Sequence, residues 1–231
     1  MEIKILYEDR YIIAAEKPPK IPAQSDKTQD KDMVNIIEEY LITKNPSNKK
    51  PYIGLVHRLD RPVGGVMVFA KNKFANKELS EQIRLKKIKK EYYSVVCGKP
   101  EKEEELVEDY LKKLKTINMS KVVSENTRGS KKSQLKYKVI DCINTDQYGI
   151  LTLLKIKLMT GRHHQIRVQL SNRGIPIWGD NKYNKIFVKK KEWTQISLWA
   201  YKLTFYHPKT KKQIIIESKF YEQYPFDLFN I

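Results

Sequence analysis

An aspartate surrounded by basic residues is the feature of this sequence best suited to chemistry. Asp60 lies among His57, Arg58 and Arg61, and residues 40–77 contain no other acidic residue. Neighbouring cations favour the ionised form of a carboxylic acid. An ionised carboxylate can serve as a nucleophile or a base, including on glycosidic bonds. The alternative is a structural aspartate that holds a loop through a salt bridge, which is common in proteins.

A second basic segment, residues 160–167, contains two arginines. Arg162 and Arg167 are five positions apart, so we expect the first in a loop and the second on a helix. A helix N-terminus with basic side chains beside it is a natural phosphate site. An ordinary exposed basic helix is the alternative. Arg167 follows the apolar Ile166 and could also point inward, which would be costly unless it met a carboxylate.

Two aromatic pairs of adjacent residues complete the candidates. In a strand, Tyr92 and Tyr93 would face opposite sides, so that one could line a cleft and stack on a base or transfer a proton. Core or surface tyrosines are the alternative. His163 and His164 would point in different directions on a helix. The four histidines lack metal-ligand spacing with nearby carboxylates, so no metal site is predicted.

The elements that must position these residues mix strands with helices, without a regular strand-helix-strand repeat. We therefore predict the α+β class, as a single domain over residues 1–231 with a mixed, largely antiparallel sheet flanked by helices and loops around a central RNA-binding cleft. The acidic cluster Glu101–Glu105 is predicted to be a solvated loop. Apolar spacing predicts strands at 11–15, 66–70, 92–97, 135–139, 154–158, 196–206 and 213–217, the last two forming a hairpin, and helices at 31–42, 72–90 and 163–173, with Gly174 as a C-cap.

Composition favours a polyanionic partner. The 231 residues include 45 Lys+Arg against 27 Asp+Glu, a formal charge of +18. Such a charge indicates nucleic acid or an acidic membrane surface, although lysines that merely solvate the surface are an alternative. No apolar run approaches the ~20 residues that span a bilayer, and no signal peptide is seen at the N-terminus. With two cysteines and no disulfide framework, we expect a cytoplasmic protein.

Several ordered motifs resemble those of the RluA-type pseudouridine synthases. The segment His57–Asp60, followed by Gly65 and Ala70-Lys71, is similar to the central motif of that family. The match runs from about Leu6 to about Glu217, and its other parts are Asp9 with Lys17-Pro18, Lys90-Glu91-Tyr92 before Gly98, Thr160–Arg167 continuing through Gly174–Ile177 and Gly179–Tyr183, Leu198–Ala200, and Phe205–Pro208.

The resemblance implies an enzyme that cuts the bond between uracil N1 and the ribose, rotates the base and rejoins it through C5 without a metal or organic cofactor. Asp60 would be the catalytic carboxylate, acting on the sugar, on the base or on a ribose proton. Tyr92 would pack against the uracil and is a candidate for proton transfer, and Arg167 would pair with Asp60. Arg58 would help to fill the space of the flipped nucleotide. The residues expected to bind substrate are His57, Arg58, Arg61, Arg162, His163 and Gln165.

Two departures and one expected absence qualify the resemblance. Val63-Gly64-Gly65 stands where many members have Thr-Ser-Gly, and Gln169 stands where a histidine is common. Neither touches Asp60, Tyr92 or Arg167, so we expect activity to survive. We expect no N-terminal RNA-binding domain of the ribosomal S4 type, so that target recognition rests on the catalytic domain.

We expect the partner to be RNA, with ribosomal RNA slightly favoured over transfer RNA, and the protein to be a monomer that binds no membrane. Three rival hypotheses differ in class. They are a non-catalytic RNA-binding protein, a nucleoside or base hydrolase that releases uracil, and a basic protein that binds acidic membranes. The sequence offers no long amphipathic basic helix with large apolar residues, which counts against the third.

Overall fold

The computed structural model describes residues 3–25, 30–46, 50–190, 192–219 and 223–230. The chain divides into two compact units, Met1–Lys90 with Ala200–Lys219, and Glu91–Trp199 with Phe220–Ile231. The α+β class with a mixed, largely antiparallel sheet is confirmed. The prediction of one domain around a central RNA-binding cleft stays a prediction. Within the described ranges, no helix is long and apolar enough to cross a membrane.

The elements follow one another in an irregular order. In chain order the strands are β1 Ile5–Glu8, β2 Ile12–Lys17, β3 Gly54–Leu55, β4 Gly64–Ala70, β5 Lys89–Cys97, β6 Glu104–Leu114, β7 Met119–Val123, β8 Lys131–Thr145, β9 Gly149–Leu158, β10 Leu198–Tyr206 and β11 Gln213–Glu217. The helices are α1 Met33–Lys44, α2 Lys73–Arg84, α3 Gln165–Asn172, the single turn α4 Lys185–Val188 and a 3-10 turn at Phe226–Leu228.

The first unit is built on strands from distant parts of the chain. Its strand order is β1-β2-β4-β10, with β11 beside β10 and β3 beside β4. The predicted hairpin is confirmed, because β10 and β11 pair antiparallel. Alternate side chains of β2 and β4, such as Ile12 and Val68, join Phe205 in a core that excludes water. The helix α2 covers this core with Ala75 and Leu79, as its apolar spacing predicted.

The second unit is an antiparallel sheet with α3 on one of its faces. Its strand order is β5-β9-β8-β6-β7. Gln169 on α3 donates a hydrogen bond to Asp109 of β6 at 2.7 Å, and Arg173 donates to the same carboxylate at 2.8 Å. Gly174, with φ of +75°, follows the last turn of α3, which confirms the predicted C-cap. The opposite face of this sheet points away from α3.

Two predicted helices are shorter in the structure. The helix predicted over 72–90 ends at Arg84, Lys86 has a φ of +55°, and β5 begins at Lys89. A left-handed residue breaks the helical hydrogen-bond ladder, which accounts for the early end. The helix predicted over 163–173 begins only at Gln165, because His164 has a φ of +53°.

The acidic cluster is only partly a loop. Residues 101–103 are irregular, as predicted, but Glu104 and Glu105 belong to β6. The strands β1, β3, β6 and β7 were not predicted. In β6 the buried apolar residues are Val107 and Leu111, whose spacing of four is that of a helix.

Gly65 stands at a position of β4 that leaves no room for a larger residue. It has a φ of +119°, and a Cβ atom there would meet the backbone of Ala200, with the carbonyl carbon 2.7 Å away. We expect Gly65→Ala to lower the free energy of unfolding by about 2–3 kcal/mol, since backbone strain and a clash between strands add. Urea denaturation checks this. The control is Gly161→Ala, where no atom lies within 4 Å, with an expected change within about 0.5 kcal/mol. Equal effects of the two substitutions would contradict the prediction.

Candidate active site

Asp60 lies in the loop between β3 and β4 of the first unit. Its own side chain is half-buried, whereas Leu59 before it and Val63 after it are buried. The backbone N–H of Val63 donates to the carbonyl of Asp60 at 2.9 Å and closes a turn. The two buried apolar side chains and the closed turn fix the backbone on either side of Asp60. This is the arrangement that a catalytic carboxylate needs, because a displacement of about 1 Å is costly to a reaction.

Lys17, at the end of β2, ties this loop to the segment that precedes α1. Its side chain is fully buried, and Nζ donates to the carbonyls of Pro18, Ile21 and Arg61 at 2.8, 2.6 and 3.0 Å. An ammonium group has three donors, so each is used once. Burial lowers the pKa of Lys17 to about 7, and the negative charge of Asp60 acts in the opposite direction. Lys17 is therefore an amino group that titrates near neutral pH within the electrostatic reach of Asp60.

Removal of Lys17 should loosen this loop. Lys17→Met leaves three carbonyls without their donor, so we expect the free energy of unfolding to fall by about 2–4 kcal/mol. The matched control is Lys4→Met, which removes an exposed pair with Glu16 worth at most about 1 kcal/mol. Urea denaturation of both variants provides the comparison. A loss for Lys17→Met no larger than that of the control would contradict this role.

Lys17 should also make the stability of the folded chain depend on pH. The pKa of Lys17 is lower in the folded chain than the usual 10.5, so the unfolded chain binds more protons above pH 7. Stability therefore rises with pH through this group, from about 7 towards 10. The stability of Lys17→Met relative to that of the wild type should fall further as pH increases over this range.

Arg61 and Arg58 flank the loop differently. The Nε atom of Arg61 donates to the carbonyl of Lys20 at 3.0 Å, and its guanidinium also pairs with Asp30. The backbone N–H of Lys20 donates to the carbonyl of Arg61 at 3.0 Å. Arg58 is exposed. Of these two arginines, Arg61 is thus fixed to the protein and Arg58 reaches into solvent.

His57 has a structural contact that the sequence did not predict. Its side chain is buried, and Nε2 accepts a hydrogen bond from the backbone N–H of Val68 at 3.2 Å. This hydrogen bond satisfies a backbone N–H of β4 at a position that the two-residue strand β3 does not reach. Burial and the charge of Lys90 hold the pKa of His57 well below its usual value, so the ring is neutral. A contact of His57 with substrate stays a prediction.

In the second unit, Gln165 closes the loop that leads into α3. Its Oε1 accepts from the hydroxyl of Thr160 at 2.8 Å and from the backbone N–H of Arg162 at 3.0 Å. Its Nε2 donates to the carbonyl of Gln134 at 3.0 Å. Nε of Arg162 donates to the carbonyl of Lys132 at 3.1 Å. Gln165 is buried and shapes the loop, whereas Arg162 is exposed and lies over the end of β8.

The two adjacent histidines stack rather than diverge, contrary to our prediction. Their ring centroids are 3.8 Å apart, because the left-handed backbone of His164 turns the two side chains to one side. His163 Nδ1 lies 2.9 Å from the hydroxyl of Ser120, and His164 Nδ1 lies 2.9 Å from that of Tyr183. Burial, with the charge of Arg167, lowers the pKa of His164 to about 2. The pair joins β7 to the start of α3.

Arg167 points inward from α3 and meets a carboxylate, one of the two orientations that the sequence allowed. Its Nε and NH2 atoms donate to the two oxygens of Asp180 at 2.8 and 2.7 Å, and both side chains are buried. Asp180 Oδ1 also accepts from the backbone N–H groups of Lys182 and Tyr183, at 2.9 and 3.2 Å. The guanidinium lies 5.4 Å from the centroid of the Tyr183 ring. Arg167 is thereby fixed in position.

Tyr92, on β5, is buried and its neighbour Tyr93 is half-buried, which agrees with the opposite faces predicted for adjacent tyrosines.

Three residues that support the candidate site residues were missed in the sequence analysis: Lys17, Asp180 and Tyr183. All three stand in segments that resemble family motifs, and that resemblance is the signal that could have found them. The described ranges contain no group of three or more His, Cys, Asp or Glu placed to hold a metal.

The chain is similar in sequence to one family of known proteins. The family model described as RNA pseudouridylate synthase matches residues 11–172. The chain is 35% identical over 220 residues to the ribosomal large subunit pseudouridine synthase C of Buchnera aphidicola subsp. Baizongia pistaciae, covering 93% of this chain and 66% of that protein. It is 32% identical over 239 residues to the dual-specificity RNA pseudouridine synthase RluA of Vibrio parahaemolyticus, covering 98% and 88%.

A third relative and one solved structure have names of the same kind. An uncharacterized RNA pseudouridine synthase of Helicobacter pylori is 32% identical over 216 residues, covering 93% of this chain and 65% of that protein. The chain thus spans slightly less than two thirds of the length of this relative. The solved structure of Human RNA Pseudouridylate Synthase Domain Containing 4 aligns with a TM-score of 0.75 at 21% identity, covering 94% of this chain and 88% of that one.

Proposed function

We propose that this chain, which belongs to the RNA pseudouridylate synthase family, converts uridines in structured RNA to pseudouridine. The observation that carries the proposal is the position of Asp60. It lies within the matched residues 11–172, in a loop held by the buried Lys17 and by a closed turn. A carboxylate fixed in this way can act on a nucleotide without a metal or cofactor.

In this proposal Asp60 is the catalytic carboxylate. The loop places Asp60 between two buried residues, and the Lys17 amino group, when protonated, adds a positive charge within the electrostatic reach of Asp60. Arg58, which is exposed, occupies the space of the extruded nucleotide. A uridine that leaves its stack costs a few kcal/mol, least in a loop of the RNA, which selects targets of that kind.

Tyr92 and Arg167 take part in the same reaction. Tyr92 packs against the uracil and transfers a proton, a role that rests on the family resemblance. Arg167 pairs with Asp60, and its fixed attachment to Asp180 supports a positioning role. Arg162, His163 and the other residues predicted to bind substrate contact the RNA around the target.

Ribosomal RNA is the favoured substrate. The relative from Buchnera is named for the large ribosomal subunit, whereas the one from Vibrio is named as having dual specificity. The formal charge of +18 suits either RNA, because lysines and arginines that neutralise phosphates supply most of the affinity. We expect the protein to act as a monomer in the cytoplasm. Its free cysteines, Cys97 and Cys142, suit a reducing compartment.

The test is release of tritium from RNA that carries the label at uridine C5. We expect the purified protein to release tritium from ribosomal RNA without lowering the mass of the RNA. Transfer RNA is tested separately, and faster release from it would reverse the preference. Free uracil in the products would show a hydrolase instead. Tight binding without release from either RNA would support the non-catalytic alternative.

A further inference from the structure

One face of the sheet in the second unit carries a row of lysines. On β6, Asp109 faces α3, where it accepts hydrogen bonds from Gln169 and Arg173. Because side chains alternate along a strand, the even-numbered residues of β6 and their partners across the sheet face away from α3. The lysines on this outward side are Lys112 on β6, Lys121 on β7, Lys132, Lys136 and Lys138 on β8, and Lys155 and Lys157 on β9. We refer to these seven residues as the lysine face.

The arrangement of the lysine face is unfavourable for the protein by itself. Three pairs of lysines lie directly opposite each other on neighbouring strands: Lys112 with Lys121, Lys136 with Lys157, and Lys138 with Lys155. Like charges directly opposite each other in an antiparallel sheet are destabilising. Carboxylates on the same face offset only part of this repulsion, so the excess of positive charge points to an anion that approaches from outside.

Carboxylates balance only part of this charge. Glu108 lies 3.3 Å from Lys132, Glu91 lies 3.7 Å from Lys155, and Glu104 pairs with Lys136. The other four lysines have no carboxylate oxygen within 4 Å among the described residues, and one of them, Lys138, lies directly opposite Glu104 on β6. They are Lys112, which is half-buried, and Lys121, Lys138 and Lys157, which are exposed.

The lysine face is continuous with the loop that leads into α3. Arg162 donates from Nε to the backbone carbonyl of Lys132, and Gln165 donates to that of Gln134 on the same strand. Neighbouring strands are about 4.8 Å apart, and a step of two residues along a strand covers about 7 Å. The lysines therefore extend the positive charge of Arg162 across four strands, from β7 to β9.

We infer that the lysine face binds the phosphate backbone of the substrate RNA. The inference rests on the proposed function for the identity of the RNA, but not for the presence of an anion-binding surface. A flat array of ammonium groups binds phosphates as point charges, without reading bases. Its contribution should therefore be independent of sequence and should weaken steeply with salt.

The experiment compares two variants with the same loss of charge. The first carries Lys112→Gln, Lys121→Gln, Lys138→Gln and Lys157→Gln. The control carries Lys73→Gln, Lys77→Gln, Lys209→Gln and Lys212→Gln, four exposed lysines of the first unit that likewise form no ion pair among the described residues. Binding of total ribosomal RNA is measured over a series of salt concentrations. Four lost phosphate contacts, at about 0.7–0.9 each, should make the slope of log K against log salt shallower by about 3.

We expect the first variant to show this shallower slope and a higher KM for tritium release, and the control to keep nearly the slope of the wild type. A third variant with arginine at the same four positions should restore the slope. Equal slopes for the first variant and the control, or a shallow slope for the arginine variant, would overturn the inference. If the wild type releases no tritium while the difference in slope persists, the lysine face stands and the proposed function fails.

Discussion

Asp60→Asn should abolish tritium release, with a loss of at least about 10⁴-fold, as expected for removal of a catalytic group. The substitution keeps the shape of the side chain and removes only its charge and basicity. Because it removes a negative charge from a strongly basic protein, RNA binding should not weaken. Loss of release with binding retained would separate catalysis from folding.

The matched control for Asp60 is Asp146→Asn, at an exposed turn between β8 and β9. Both variants lose one carboxylate and keep the same size. The control should release tritium at nearly the rate of the wild type. If Asp60→Asn stays within about 10-fold of the control, the catalytic carboxylate is a different residue, and the role of Asp60 must be structural.

Asp180→Asn should lower the free energy of unfolding by about 3–5 kcal/mol, because it leaves the buried charge of Arg167 without its bidentate partner. The asparagine Oδ1 can still accept from the backbone N–H groups of Lys182 and Tyr183, so the loss reports on the charge. Urea denaturation measures it. The control is Glu108→Gln, which removes an exposed carboxylate paired with Lys132 and should cost less than about 1 kcal/mol.

A double variant separates stability from positioning. Arg167→Met with Asp180→Asn removes both charges of the buried Arg167–Asp180 pair, so we expect it to recover part of the lost stability. It should not recover tritium release if Arg167 acts in the reaction as proposed. Release restored to the level of the wild type would show that Arg167 serves the fold alone.

Strands and helices with regular apolar spacing could be predicted from the sequence. The stripe of Ala75 and Leu79 on α2 and the pairing of β10 with β11 both appear as expected. Such patterns depend on burial, which local sequence records directly.

The strand β6 could not be predicted for a physical reason. Its inner face alternates Glu105, Val107, Asp109 and Leu111, and the two acidic residues are satisfied by Arg173 from α3. Half of the buried face is therefore charged, and the period of two disappears from the apolar pattern. The strand can be recognised only from its partner Arg173, which lies more than 60 residues away in the chain.

The candidate site shows the same limit. The motif around Asp60 was visible in the sequence, and so was an inward position for Arg167. The identity of the partner Asp180, the stacking of His163 on His164 and the three carbonyls that Lys17 binds were not. Each depends on a turn or a left-handed residue, which apolar spacing does not record.

The discontinuous first unit has a consequence for synthesis on the ribosome. Its core needs Phe205 and Ile216, and β4 borders β10, yet these residues follow about a hundred residues that belong to the second unit. Residues Glu91–Trp199 of the second unit emerge in one stretch, while the first unit still lacks its last two strands. The nascent chain then exposes an unpaired edge of β4 and part of an apolar core until residue 219 emerges. High contact order of this kind slows folding and invites aggregation, so overexpression should benefit from slow translation or from chaperones more than a contiguous fold of this size would.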